Sequence, residues 1–173
     1  GGATTVNGWL NLKVSGDPSV TEAPAITLQH YARTLGVATP LAGVMTAASM
    51  NSLRHAVQGD DTCTLACFVT AGIRNARRAG DTADEHMQAG TINIALVCNR
   101  YFTPAAAIEA LLIATEAKTA ACYDLQIKSP VSHQMATGTG TDSICLLSAL
   151  EPGDQTSVEY CGKHTRVGEW LGR

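Results

Sequence analysis

Basic charge, long apolar runs, internal repeats and proline-rich linkers are what this sequence has little of. Lys and Arg together number 12 against 15 Asp and Glu, for a formal net charge of -3. Without a surplus of cations there is no electrostatic footprint for nucleic acid or for an anionic membrane surface. The longest apolar stretches, such as 94–98 and 110–114, fall far short of the roughly 20 residues that span a bilayer. No basic segment leading into an apolar core opens the chain in the manner of a secretory leader, so the sequence reads as soluble. Its first residues are Gly1 and Gly2 instead of Met, an opening compatible with trimming or processing. With 6 prolines, no repeat and no low-complexity stretch, nothing divides the 173 residues, and 45% hydrophobic content suits one domain with a single core.

A disulfide framework and a complete metal-ligand pattern are missing too. Six cysteines, Cys63, Cys67, Cys98, Cys122, Cys145 and Cys161, sit mostly within apolar stretches such as CTLACFV and SICLLSAL. That placement suits buried free thiols in a reducing compartment, hence a cytoplasmic location. Cys63 and Cys67 are four apart in a segment read as strand and so share a face, which would suit a metal pair. No second pair and no suitably spaced His completes a zinc or iron-sulfur site, so core thiols are the expectation and no metal is assigned.

What is present is patterned. Trp9, Leu10, Leu12 and Val14 form a short strand pattern ending at the turn signal SGDPS (15–19), and 24–35 reads as a helix stopped by Gly36. GVMTAA (43–48) and SLRHAVQ (52–58) are expected to pair with each other as strands. CTLACFVTAG (63–72), with its β-branched and aromatic residues, follows the GDD turn as a stronger strand and gives a small antiparallel meander. In GTINIALVC (90–98) Ile92, Ile94, Leu96 and Cys98 alternate on one face, while Ala95 and Val97 imply burial on the other. Thr103 caps and Pro104 starts a helix running to Asp124 without Gly or a second Pro. Its Ala106, Ala110, Ala114, Ala117 and Ala121 form a small-residue stripe able to lie close against a sheet. SICLLSAL (143–150) follows as a strand, and 160–172 ends near a short helix or turn. The expected fold class is α+β, a single layered domain with a mixed or mostly antiparallel sheet packed by the long Ala-rich helix.

Chemistry is concentrated in ATGTGTD (136–142), where two glycines loosen the backbone and Thr137, Thr139, Thr141 and Asp142 present three hydroxyls and a carboxylate. N–H groups beside Gly138 and Gly140 could form an anion nest for a phosphate or for the oxyanion of a tetrahedral intermediate, and the spacing does not choose. A P-loop cradle would need a Lys and a following helix, both missing, and a plain turn with capping hydroxyls accounts for the spacing equally well. In YCGKHT (160–165) His164 stands beside a glycine and a cation and is the candidate general base; His30, His55, His86 and His133 have no comparable setting. Glu116 and Lys118 interrupt the long helix on different faces and so are not a helical ion pair, whereas Glu109 and Glu116, seven apart, share what reads as its solvated side. Asn75 is suited to bonding local backbone or a ligand amide, and Thr91 and Asn93 share a strand face near its start; structural roles suffice for all three.

Five segments, TAGIRNARRAGD (70–81), GTINIALV (90–97), TEAKTAAC (115–122), ATGTGTDSI (136–144) and YCGKHTRVGE (160–169), together resemble the adenosylcobinamide amidohydrolase family in this order and at similar spacings. The likeness covers 43–172 well and the earlier residues more loosely, and it implies relatives with an additional N-terminal segment and a short C-terminal extension. The resemblance implies hydrolysis of the amide joining the aminopropanol arm to the corrin side chain of adenosylcobinamide, giving adenosylcobyric acid in corrinoid salvage. The cobalt-containing corrinoid is then substrate, and the sequence requires no further cofactor. Catalytic roles are implied for His164, Asp142, Thr139, Thr141, Glu116 and Lys118, and substrate contacts for Asn75, Thr91, Asn93, Gly138 and Gly140. In that scheme His164 acts as base on Thr139, Thr141 or a water, Asp142 orients its imidazole, and loop amides hold the oxyanion, with Glu116 and Lys118 as the fallback pair. These segments are expected to meet at one cleft. The GTINI strand and long helix also bear a weaker likeness to self-cleaving aminopeptidases, without a clear cleavage site. The expected partner is adenosylcobinamide, not nucleic acid or membrane, with room for a homo-oligomer. The rival readings are a non-catalytic corrinoid-binding module and a nucleotide- or phosphate-binding domain built on the GTGTD loop.

Overall fold

The computed structural model of the chain describes residues 2–15, 22–83, 88–152 and 157–173. In chain order its elements are β1 (Trp9–Lys13), α1 (Pro24–Thr34), β2 (Ala42–Thr46), β3 (Arg54–Gly59), β4 (Thr64–Ala71), β5 (Ala76–Arg77), β6 (Ile92–Cys98), α2 (Pro104–Asp124), β7 (Gly138–Thr139), β8 (Ser143–Leu147) and α3 (Arg166–Gly172). The turn signal after Ser15, and His86, lie outside the described residues.

The fold is α+β, organised around a four-stranded mixed sheet of order β3-β4-β6-β8. The strands β3, β4 and β6 form an antiparallel meander and β8 lies parallel to β6, whereas the sequence predicts a meander of 43–48, 52–58 and 63–72, of which the β3–β4 pairing is present. Parallel neighbours need a long crossover, and α2 supplies it. The β3–β4 hairpin closes through Asp60, whose carboxylate accepts the Thr62 N–H at 2.9 Å and the Cys63 N–H at 3.1 Å, an Asx-type turn. One expected pairing is different. The strand β2 does not pair with β3 but lies parallel to β1, with Trp9 opposite Ala42 and Lys13 opposite Thr46. The helix α1 provides the return for that unit, and β3 already has a partner one tight turn away in β4.

The helix α2 has the bounds its sequence predicts. The Thr103 hydroxyl accepts the Ala106 N–H at 3.2 Å, and Pro104 sits where no intrahelical donor is needed. Its far end closes with the Ile127 N–H on the Cys122 carbonyl at 3.0 Å, Gln126 taking the positive-φ position usually given to glycine. The packed row runs Ala106, Ala110, Ala114, then Lys118 and Cys122, each four residues on; Ala117 is half-buried and Ala121 is exposed. The expected alanine stripe is therefore corrected in its last two turns, where a cation occupies the sheet-facing row. This row packs with Leu65, Ile92, Ile94, Leu96, Phe102 and Leu171 in the main core. The opposite face of the sheet is covered at one end by the β1–β2 ribbon, since the Asn93 amide donates to Asn11 Oδ1 and to the Met45 carbonyl, both at 3.0 Å. Ala95 is buried there as expected, but Val97 is 37% exposed because the ribbon does not reach it. No described helix is long and apolar enough to cross a membrane.

Candidate active site

The loop after α2 returns along a small antiparallel ladder in which Thr139 of β7 lies opposite Ala76 of β5, and Gly138 opposite Arg77. This ladder places Asp142 over the start of β6 and beside Lys118 of α2. The carboxylate collects four hydrogen bonds. Its Oδ1 accepts the Ile92 N–H at 3.0 Å and the Thr139 hydroxyl; its Oδ2 accepts the Thr139 N–H at 2.9 Å and the Lys118 ammonium at 2.5 Å. The two charged side chains are only 12% and 10% exposed, so this is a buried pair, viable because further donors fill the remaining carboxylate sites. The Thr91 hydroxyl donates to the Thr141 carbonyl at 2.6 Å, the Thr141 hydroxyl to the Gly90 carbonyl at 3.0 Å, and the Thr119 hydroxyl to the Thr137 carbonyl at 3.1 Å. Thr139 is half-buried, while Gly140 and Thr141 are exposed, so the cluster reaches the surface through the tip of this loop.

The glycines are there for space. A Cβ on Gly138 would stand 2.1 Å from Asp142 Oδ2, and one on Gly140 would stand 2.6 Å from Asn75 Nδ2. Among the described glycines only Gly2, Gly36 and Gly80 have positive φ, so the GTGTD loop does not form the expected nest. Four of its amides are also engaged. The Thr137 N–H donates to the Arg77 carbonyl, that of Gly140 to the Asn75 carbonyl, and that of Thr141 reaches Thr139 Oγ1 at 3.5 Å. With the Thr139 N–H on Asp142, these donors are not free to cradle a phosphate or an oxyanion.

The sequence model of the adenosylcobinamide amidohydrolase family matches residues 1–173. The chain belongs to this family. An uncharacterized protein of Methanocaldococcus jannaschii is 33% identical, the match covering 77% of this chain and 58% of that protein. A protein of Methanosarcina mazei named adenosylcobinamide amidohydrolase is 29% identical, over 85% of this chain and 68% of that protein. The chain thus spans under two thirds of one relative and about two thirds of the other. No solved structure matches it.

Within this member of the amidohydrolase family, the residues singled out in the sequence separate into three groups. Thr139, Asp142, Lys118, Thr91, Thr141, Gly138, Gly140 and Asn75 meet at the loop. Asn93 lies one pleat further and is 1% exposed, its amide donors committed to Asn11 and Met45; a substrate contact from it is therefore not available. Glu116 and His164 lie elsewhere. Glu116 forms an exposed ion pair with Lys163 on a different side of α2 from Lys118, which separates the fallback pair. The exposed His164 sits against Gly162, and among the described residues no hydrogen bond or ion pair engages its imidazole. With four donors already on it, Asp142 has no site left to orient that ring, so the expected Asp142–His164 pair is not formed. Glu109 is corrected in the other direction: its carboxylate is partly buried and accepts the Cys161 N–H at 2.7 Å. Thr119 was not singled out in the sequence, although its position one residue beyond Lys118 gives it the same loop to bond. A groove of about 490 Å³ along α2, lined by Thr115, Glu116, Thr119, Ala120, Tyr123 and Asp124, adjoins the loop through Thr119 but is not lined by the cluster itself.

All six cysteines are free. Burial pushes the thiols of Cys63 and Cys161 up to about 12, and raises those of Cys67, Cys122 and Cys145. They are accordingly packing residues and poor nucleophiles. Among the described residues no three or more His, Cys, Asp or Glu side chains come together as a metal site.

Proposed function

We propose that the protein hydrolyses the amide joining the aminopropanol arm to the corrin side chain of adenosylcobinamide, giving adenosylcobyric acid and aminopropanol in corrinoid salvage. Membership of the amidohydrolase family supports the reaction class, and one observation carries the assignment of residues: the Thr139 hydroxyl donates to Asp142 Oδ1, and Asp142 is itself fixed by Lys118 and the Ile92 N–H. A hydroxyl on a carboxylate that a third group orients is the general arrangement of an activated nucleophile. In this reading Thr139 Oγ bonds to the amide carbonyl carbon while its proton passes to Asp142. Collapse of the tetrahedral intermediate breaks the C–N bond, and aminopropanol leaves with that proton. Water then attacks the Thr139 ester, giving its proton to Asp142, which returns it to Thr139 as the acid departs. Lys118 holds Asp142 in place throughout.

The neighbouring groove offers an apolar wall from Ala120 and Tyr123 to a bulky substrate. The six unpaired thiols suit a reducing, cytoplasmic setting for this chemistry.

Incubation of the purified protein with adenosylcobinamide, followed by product analysis, tests the proposal. Adenosylcobyric acid with equimolar aminopropanol is expected, and a bound but unaltered corrinoid would overturn it. Thr139→Ala should abolish turnover, and Asp142→Asn should lower it by about 10²- to 10⁴-fold, the usual worth of acid–base catalysis. His164→Ala should keep turnover of the wild-type order; a loss as large as that of Asp142→Asn would return the base to His164.

A further inference from the structure

Amide hydrolysis needs a donor for the oxygen that becomes negative, and the loop N–H groups of Thr137, Thr139, Gly140 and Thr141 are already engaged. One donor near the loop is not. Asn75 ends the short 3-10 turn Ile73–Asn75 and is 5% exposed, yet among the described residues no hydrogen bond satisfies its carboxamide. A carboxamide that lies almost wholly inside the protein yet has no protein partner, at the edge of the exposed loop tip, is open to a ligand there. Its backbone is held on both sides: the Asn75 carbonyl accepts the Gly140 N–H at 3.1 Å, and the missing side chain of Gly90 leaves room for the Asn75 N and Cβ. Its Nδ2 lies 2.6 Å from where a Gly140 Cβ would be, directly beside the exposed residue that separates Thr139 from Thr141. Asn75 and Thr139 also flank the same β5–β7 pairing, since Ala76, the next residue, is opposite Thr139.

We infer that Asn75 Nδ2 is the oxyanion donor of the reaction, an assignment that rests on the amide-hydrolysis reading above. As Thr139 Oγ bonds to the carbonyl carbon and its proton moves to Asp142, the carbonyl π pair moves onto oxygen, where the Asn75 N–H donates to it. Collapse returns that pair to the C=O bond as the C–N bond breaks. The ligand class is thus a carboxamide whose carbonyl faces Gly140. The open position at Gly140 has the same explanation: a side chain there would displace the Asn75 amide.

Steady-state kinetics on adenosylcobinamide with Asn75→Ala, alongside thermal unfolding, tests this. Loss of one oxyanion donor is expected to lower kcat by about 10²- to 10³-fold with a far smaller change in KM. Because the amide it removes has no protein partner, the unfolding midpoint should not fall in parallel. Gly140→Ala is the second variant, leaving Asn75 in the chain but pushing its amide aside, and should show the same kcat-selective loss. A folded Asn75→Ala or Gly140→Ala enzyme with wild-type kcat overturns the assignment alone, as does a loss of activity that tracks a lowered midpoint in both variants. A wild type that leaves adenosylcobinamide intact overturns the hydrolase reading and this assignment together.

Discussion

At Gly138 the missing side chain is what lets a lysine and an aspartate meet beneath the loop. A methyl there would lie 2.1 Å from Asp142 Oδ2 and 2.6 Å from Lys118 Nζ, closer than any side chain tolerates. Neither charged group has a route into water that keeps its partner, because each is nearly buried. Gly138→Ala is therefore expected to destabilise the protein by about 2 to 3 kcal/mol, within the range for strain and disrupted buried pairs, and to remove activity with it. Thermal unfolding beside the turnover assay checks this, and an unchanged midpoint would mean that the pair can relax without loss. The same logic explains why Lys118 is mostly buried while Glu116, two residues away, pairs in the open with Lys163. Two residues on a helix are separated by more than half a turn, so one reaches the loop and the other the segment before α3.

The helix α2 works through its narrowness. Ala106 and Ala110 are fully buried, and their size sets how closely the helix approaches the sheet, hence how far Lys118 must extend. Ala110→Leu inserts a branched side chain at a fully buried position, with an expected loss of about 1 to 3 kcal/mol and a weakened Lys118–Asp142 contact. A drop in thermal midpoint with reduced turnover is the expected result; unaltered stability would show that the helix can lift without consequence. Local elements of this kind were legible in the sequence because their signals are adjacent in the chain. Thr103 and Pro104 mark the start of α2, alternation marks β6, and the GDD turn marks the β3–β4 hairpin. Pairings between distant segments were not legible. Nothing in 42–46 says that its neighbour is β1 and not β3, and an alanine stripe does not tell that the buried row passes through Lys118. At the site, the GTGTD loop stood out by composition, but the partners of Asp142 come from α2 and β6 as well as from the loop, so His164 was the plausible companion until the carboxylate was seen to be filled.

At the scale of the whole molecule the buried thiols predict a response to alkali. Burial raises Cys63 and Cys161 from the ordinary 9.0 to about 12 and shifts Cys67, Cys122 and Cys145 in the same direction. The folded protein thus holds thiol protons that the unfolded chain releases, and stability falls as pH rises wherever the native state binds more protons. The stabilisation is fully present below pH 9 and is lost between about 9 and about 12. A thermal midpoint lower at pH 10 than at pH 8 is the expected observation, and equal midpoints would contradict it. The crossover through α2 has another effect, on the order in which the molecule is made. The strands β3, β4 and β6 are joined by their neighbours in sequence, whereas β8 reaches β6 only after residues 99–142 have been synthesised and closed as a loop. Such non-local closure is the slow part of folding. Asn75 and Thr91 therefore emerge from the ribosome well before Lys118, Thr139 and Asp142, and a chain halted within α2 holds a hairpin sheet without the loop: the Asp142 carboxylate acquires its four donors only once residues 138–142 have been made and have docked on β6 and α2.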